Sequence, residues 1–161
     1  MKEKSNMYDR SKCEIIPIAS EFNETGVPSK GIPPAYTTIE AAAADIAIPY
    51  EITIPAKSVV YVDLLLRTNI EIGNCLLMFP RSSLLIKHGL FMPVSVIDSD
   101  YKLNIHVPMY NVTDTDVTLE KGTRVAQVML QDCHNRVTSN FTNEINEIRQ
   151  GGCGSTGTKV K

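Results

Sequence analysis

YEITIPAKSVVYVDLLLRTNIEI, residues 50–72, contains the alternation that decides the fold class. Ile52 and Ile54 alternate with polar neighbours, and Val62 and Leu64 repeat the pattern a few residues later. Successive side chains of a β-strand point to opposite faces, so a period of two is typical of strands with one buried face. This stretch therefore predicts at least two short β-strands.

Short apolar stretches of the same kind lie on both sides of it. We predict further strands at about residues 13–19 and in CLLMFP (75–80), SVIDSDYKLNIHVPMYN (95–111) and TRVAQVML (123–130). Residues 20–35 hold three prolines and two glycines, which indicates a loop. Many short strands separated by turns are typical of an all-β barrel or a jelly-roll-like domain.

Two local patterns favour helix instead. Thr37 and Glu40 have the spacing of a capping box, and the four alanines that follow are strong helix formers, so a short helix is predicted there. Phe141, Ile145 and Ile148 have a weak helical spacing. At the ends, residues 1–12 are predicted to be a disordered lead, and residues 149–161 a mobile arm after a domain at 13–148.

Composition limits the classes of function. The 161 residues suit one domain, and a net charge of −2 gives no global field that would recruit nucleic acid or an acidic membrane. No apolar run is long enough to cross a bilayer, and the charged N-terminus lacks the apolar core of a signal peptide. The four cysteines are scattered without a C-x-x-C pair, which favours reduced thiols and argues against zinc. We therefore expect an intracellular, cytoplasmic protein.

The stretch FPRSSL, residues 79–84, has two interpretations. It is either a surface turn in which Ser82 and Ser83 cap the next element, or an anion site. A guanidinium from Arg81, two hydroxyl groups and backbone N–H groups in one turn suit phosphate oxygens.

The stretch VIDSDYKLNI, residues 96–105, ends an apolar strand with acidic residues. Asp-Ser-Asp is typical of a plain hairpin turn. Alternatively, Asp98 orients a water molecule while the ring of Tyr101 holds a flat ligand. Val96 and Ile97, just before it, are predicted to lie in the core.

Three further polar residues interrupt apolar stretches. Gln127 lies inside the strand TRVAQVML, and a satisfied core or edge amide is its simpler interpretation. Arg124 is either solvated or faces a phosphate. Asp45 is the only charge in AAAADIA, where small residues allow close backbone approach.

The C-terminal RQGGCGSTGTKVK, residues 149–161, cannot form a core. Its small and polar residues indicate either a frayed end without a role or a segment that orders around a ligand.

The order of these motifs is informative where each alone is not. A-A-x-x-D-I, P-R-S-S-L, V-I-D-S-D-Y, K-G-x-R-V-A-Q and G-G-x-G-S-T-G follow one another between Ala41 and Gly157. In this order they resemble the trimeric dUTPase family. The resemblance implies a distorted jelly-roll barrel with a flexible arm, a homotrimer with shared active sites, and Mg²⁺-dependent hydrolysis of dUTP to dUMP and pyrophosphate.

The resemblance also implies roles for individual residues. Asp98 corresponds to the base that activates the attacking water, and Tyr101 to the ring that packs under deoxyribose and excludes a 2′-hydroxyl group. The residues that correspond to phosphate or metal contacts are Arg81, Ser82, Ser83 and Gln127, with Asp45 acting on the metal through water. Those that correspond to uracil recognition or arm closure are Ser95, Val96, Arg149, Gly152, Cys153, Gly154, Ser155 and Thr156.

The sequence also departs from the family. Glycine is usual where this chain has Ala43, Ser95 and Leu103, and a ring that stacks on uracil is usual where it has Cys153. Arg149 lies one residue nearer to the G-S-T-G run than the family's arginine. An alternative function is therefore a nucleotide-binding or regulatory protein that keeps the fold with little turnover. The related dCTP deaminases fit the Asp-Ser-Asp-Tyr hairpin less well.

Overall fold

The structure is a computed structural model that describes residues 13–20, 29–133 and 151. Strands and one short helix, α1 (Ser82–His88), make up its regular elements. In chain order the strands are β1 (Cys13–Pro17), β2 (Ala19–Ser20), β3 (Ser29–Lys30), β4 (Ala44–Ala47), β5 (Ile52–Ile54), β6 (Val59–Asp63), β7 (Leu66–Ile70), β8 (Asn74–Pro80), β9 (Leu90–Phe91), β10 (Ser95–Asp98), β11 (His106–Asn111), β12 (Val117–Leu119) and β13 (Arg124–Asp132).

The strands pair antiparallel in small sheets around one core. The largest sheet has the order β10-β8-β13-β4, and a three-stranded sheet has the order β6-β11-β9. The pairs β1-β7, β5-β12 and β2-β3 complete the described part. The predicted all-β, jelly-roll class is confirmed, although hydrogen bonds do not join the described strands into one closed barrel.

The alternation in residues 50–72 is confirmed by burial. Ile52 and Ile54 are buried on β5 while Thr53 between them is exposed. Val62 is buried on β6, whereas Tyr61 points to solvent. The side chains that are almost completely buried come from nearly every part of the described chain and include Ile46, Ile48, Ile54, Leu64, Leu66, Met78, Leu84, Leu90, Met92, Ile105, Met109 and Leu119.

The helix predicted after Thr37 is wrong. Residues 37–43 form turns and bends, and the last alanine begins β4. β4 pairs with β13 on one side, while the N–H and C=O of Asp45 pair with Ala35 on the other. A helix would withdraw these backbone groups from both partners, so the sheet overrides the local helix propensity of alanine.

The helix that does form, α1, follows the P-R-S-S-L motif. Its N-cap is Arg81, and no side chain caps its first turn. The interpretation of Ser82 and Ser83 as caps is therefore wrong, because both lie inside the first helical turn. The helix ends at Gly89, whose φ of 62° is left-handed and whose N–H bonds to the carbonyls of Leu84 and Leu85.

No helix in the described ranges is long and apolar enough to cross a membrane. The predicted disordered lead and the weak helical spacing at Phe141, Ile145 and Ile148 lie outside the described residues.

Candidate functional site

A charged cluster lies at one end of the four-stranded sheet. Asp45 on β4 is in register with Gln127 on β13, which is in turn in register with Phe79 on β8. Arg81 follows the end of β8 directly, and Arg124 begins β13. Pairing of three strands thus brings together residues that are far apart in the sequence.

Two arginines hold the carboxylate of Asp45. Arg81 Nε lies 3.2 Å from Asp45 Oδ1, and Arg124 Nη1 lies 3.0 Å from Asp45 Oδ2. The Asp45 side chain is only 10% exposed. Two cations against one carboxylate leave the cluster with one excess positive charge, which favours an anionic ligand.

Asp45 and Arg81 of this cluster line an open polar cleft of about 310 Å³, and Arg124 lies behind Asp45 outside the lining. Thr37, residues 41–43 and Ser82 also line the cleft. The alanines keep side chains out of this space. Gln127 also lines the cleft and donates from Nε2 to the carbonyl of Pro80 at 3.4 Å. It is a half-buried residue of an internal strand, since β13 pairs with both β8 and β4. Ser83 does not line the cleft.

The acidic turn after β10 (residues 98–101) lies at the other end of the same sheet, and it does not close a hairpin, because β10 pairs with β8 whereas β11 pairs with β6 and β9. Asp98 on β10 is in register with Cys75, near the start of β8, and Arg81 follows the last residue of β8. The five residue steps from Cys75 to Pro80 span about 17 Å at a rise of about 3.3 Å per residue. One copy of this chain therefore does not bring Asp98 to the cleft.

Tyr101 follows Asp98 in a tight turn. Its backbone N–H donates to the carbonyl of Asp98 at 3.1 Å, and its half-buried ring packs against the core. Leu103, where the family usually has glycine, is 47% exposed and has a negative φ. It therefore requires no left-handed backbone here.

The prediction that Val96 lies in the core is wrong. It is 58% exposed, while Ile97 next to it is buried, because successive strand residues face opposite sides. Ser95 is half-buried on the same strand.

A pair of thiols lies beside Asp98, and the scattered spacing of the cysteines does not reveal it. Cys75 and Cys133 have their sulfur atoms 3.3 Å apart. Burial, the neighbouring Cys133 and the negative charge of Asp98 raise the pKa of Cys75 to about 11. Cys75 is therefore neutral at physiological pH.

The other predicted site residues lie outside the described part of the chain: Arg149, Gly152, Cys153, Gly154, Ser155 and Thr156. Within the described ranges, no cluster of three or more histidine, cysteine, aspartate or glutamate side chains could hold a metal ion.

Known proteins are similar to this chain over a range that includes the residues at both ends of this sheet. The family model for dUTPase matches residues 29–158. The chain is 32% identical to the deoxyuridine 5′-triphosphate nucleotidohydrolase of Saccharomyces cerevisiae over 146 residues, which is 89% of this chain and 95% of the yeast protein. It is 35% identical to the protein of the same name from Yarrowia lipolytica over 127 residues, covering 77% of this chain and 81% of the relative.

Solved structures agree with these sequence matches. The dUTPase from Streptococcus mutans superimposes with a TM-score of 0.62 at 29% identity, over 75% of this chain and 94% of the bacterial chain. A dUTPase mutant from Staphylococcus bacteriophage 80alpha reaches a TM-score of 0.65 at 13% identity, over 85% of this chain and 97% of the phage chain. The second match shows likeness of fold alone.

Proposed function

The chain belongs to the dUTPase family, and on that premise we propose that it hydrolyses dUTP to dUMP and pyrophosphate. The observation that carries the proposal is the family match across residues 29–158, which includes both the polar cleft and the acidic turn. A polar cleft beside a cluster with one excess positive charge suits a triphosphate, and a carboxylate at a strand end suits activation of water.

In this proposal, Asp98 accepts a proton from a water molecule as the water oxygen attacks the α-phosphorus in line. The bond from the α-phosphorus to the bridging oxygen breaks, and pyrophosphate leaves. Arg81, Ser82 and Ser83 contact the phosphates, and Tyr101 packs against the deoxyribose. Such a reaction depends on positioning and electrostatic stabilisation more than on covalent catalysis.

The described residues fit Mg²⁺ only in an indirect role. Both oxygens of Asp45 already face arginines, at 3.2 and 3.0 Å, so this carboxylate is a poor direct ligand for a cation. Mg²⁺ keeps several waters and binds largely through substrate phosphates, so Asp45 and Gln127 would reach it through water. Bound in this way, it would neutralise charge on the triphosphate.

We also propose a homotrimer with shared active sites. Asp98 and Arg81 lie at opposite ends of β8, so a complete site needs residues from two copies of the chain. Exposed apolar side chains, including Ile86, Phe91 and Val94, provide surface for such contacts. The number three comes from the family alone. In the same arrangement, the arm residues Arg149 and Gly152–Thr156 close over a neighbouring copy, and Ser95 and Val96 present backbone groups to uracil.

The activity is tested by measuring pyrophosphate release from dUTP, dCTP, dTTP and UTP with Mg²⁺. We expect turnover of dUTP in preference to the others, and a fall of at least ~100-fold for Asp98→Asn. Asp100→Asn is the matched control, since it removes a carboxylate from the same turn. Equal losses in the two variants would contradict the role of Asp98, and nucleotide binding without turnover would favour the regulatory alternative.

Shared sites are tested by mixing two inactive variants, Asp98→Asn and Arg81→Ala, after dissociation and reassembly. If each site takes Asp98 from one copy and Arg81 from another, random equal mixing restores about one quarter of the sites. Light scattering on the wild type gives the number of chains. No recovery of activity, or a fully active monomer, would contradict shared sites.

A further inference from the structure

Tyr101 is held by hydrogen bonds at its backbone and at its hydroxyl group. Besides the bond from its backbone to Asp98, its hydroxyl group donates to the backbone carbonyl of Asn104 at 2.9 Å. The ring lies between these two bonds and packs against the core. Its position therefore depends on where Asn104 is held.

Asn104 is held by both ends of its own amide. Its Oδ1 accepts from Arg67 Nε at 2.8 Å, and its Nδ2 donates to Asp63 Oδ2 at 2.9 Å. Asp63 ends β6 and Arg67 lies in β7, so two other strands fix the segment that follows Tyr101. We refer to Asp63, Arg67 and Asn104 as the Asn104 clamp.

The Asp63 end of the clamp is itself fixed by the backbone. Asp63 Oδ1 accepts from the N–H of Leu65 at 2.8 Å, where the chain bends through a left-handed φ of 52°. Ile105, next to Asn104, bonds to both flanks of this bend: it accepts from Leu64 at 3.0 Å and donates to Leu66 at 2.8 Å. The bend and the segment around Asn104 therefore hold each other in place.

We propose that Asn104 and Asp63 are positioning residues that set the selectivity for deoxyribose over ribose by fixing the ring of Tyr101. The inference rests on the proposed function, in which this ring packs against the sugar. Steric exclusion of one hydroxyl group requires the ring to stay within a fraction of an ångström of its place, and hydrogen bonds to the surrounding strands provide that restraint.

The test compares kcat/KM for UTP with kcat/KM for dUTP. Asn104→Ala removes the clamp but leaves the carbonyl, and Tyr101→Phe keeps the ring but removes its bond to that carbonyl. We expect each variant to raise the ratio for UTP over dUTP by ~10-fold, a typical size for discrimination by pocket shape. Because both act through one path, the double variant should raise the ratio no further than the larger single effect.

The matched control is Asn69→Ala, which removes an amide from the exposed face of β7 outside the clamp. Its ratio should equal that of the wild type. A purely structural role would lower dUTP turnover in Asn104→Ala while leaving the ratio unchanged, and that result would overturn the proposal. If Asn104→Ala does not fold, an unchanged ratio in Tyr101→Phe would overturn it equally.

A second readout separates this proposal from the proposed function. Calorimetry with dUMP and UMP measures sugar preference without hydrolysis. Suppose that the wild type binds dUMP more tightly than UMP but does not hydrolyse dUTP, and that Asn104→Ala reduces this difference in affinity. That result would contradict the enzymatic function and support the role of the clamp. A wild type without preference for dUMP, or an unchanged preference in Asn104→Ala, would overturn the clamp.

Discussion

Replacing Asp45 by asparagine is expected to destabilise the fold and impair the cleft together. This carboxylate, 10% exposed, is the common partner of two guanidinium groups at 3.2 and 3.0 Å. Asparagine has almost the same size but no charge. It would leave Arg81 and Arg124 facing each other without the anion that separates them.

The expected loss of stability depends on how exposed the two arginine partners of Asp45 are. Removing one partner of a fully buried ion pair costs about 3–5 kcal/mol, whereas an exposed pair contributes at most about 1 kcal/mol. Arg81 is 27% exposed and Arg124 is 48% exposed, so solvent screens part of the interaction. We therefore expect a loss of about 1–3 kcal/mol in the free energy of unfolding and a melting temperature lower by about 3–9 °C. Displaced arginines should also lower kcat/KM for dUTP by ~10-fold or more.

Thermal unfolding and pyrophosphate release, both at one protein concentration, measure the two effects. The matched control is Asp114→Asn, which breaks an ion pair with Lys57 of similar length, 3.1 Å, whose side chains are 55% and 92% exposed. That variant should have the same melting temperature and the same rate of dUTP turnover as the wild type. If Asp45→Asn behaves like Asp114→Asn in both assays, the cluster neither stabilises the fold nor shapes the cleft, and the reasoning fails.

Further predictions concern other parts of the chain. Asn111 is completely buried and donates to the carbonyls of Ile54 and Thr115, so Asn111→Ala should lower the free energy of unfolding by about 2–4 kcal/mol. Urea titrations measure this loss, and a value below about 1 kcal/mol would argue against a stabilising role of these hydrogen bonds. Because the pKa of Cys75 is raised from 9.0 to about 11, the folded state keeps a proton that the unfolded state loses, and the free energy of unfolding should fall as pH rises from 9 to 11. Unfolding measured across this pH range should show a smaller decrease for Cys75→Ala than for the wild type. With sulfur atoms 3.3 Å apart, Cys75 and Cys133 should also form an intramolecular disulfide with oxidised glutathione, releasing two equivalents of glutathione; mass spectrometry that finds only mixed disulfides would contradict this geometry. Deleting residues 150–161 should leave melting and assembly unchanged but lower kcat, and an unchanged kcat would mean that the arm has no catalytic role.

Local sequence was sufficient to predict those elements that form in the same way whichever strand pairs with them. Ile52 and Ile54 predict a strand because alternation is set by backbone geometry, whichever strand lies beside it. The order of short motifs was also sufficient to indicate the family, since it depends on residue identity and spacing. Candidate residues such as Asp45, Asp98 and Gln127 could be named for the same reason.

Tertiary structure decided whatever depends on distant partners. Ala44–Ala47 has helix-forming alanines but becomes a strand because β13 and Ala35 bind its backbone. The pairs of Asp45 with Arg124 and of Cys75 with Cys133 join residues 79 and 58 positions apart, and no local pattern encodes such pairings. Strand register likewise places Asp98 at one end of β8 and Arg81 at the other. Sequence order could name both residues, but only the pairing of strands shows that one chain holds them apart, because a strand keeps its two ends separated by its own length.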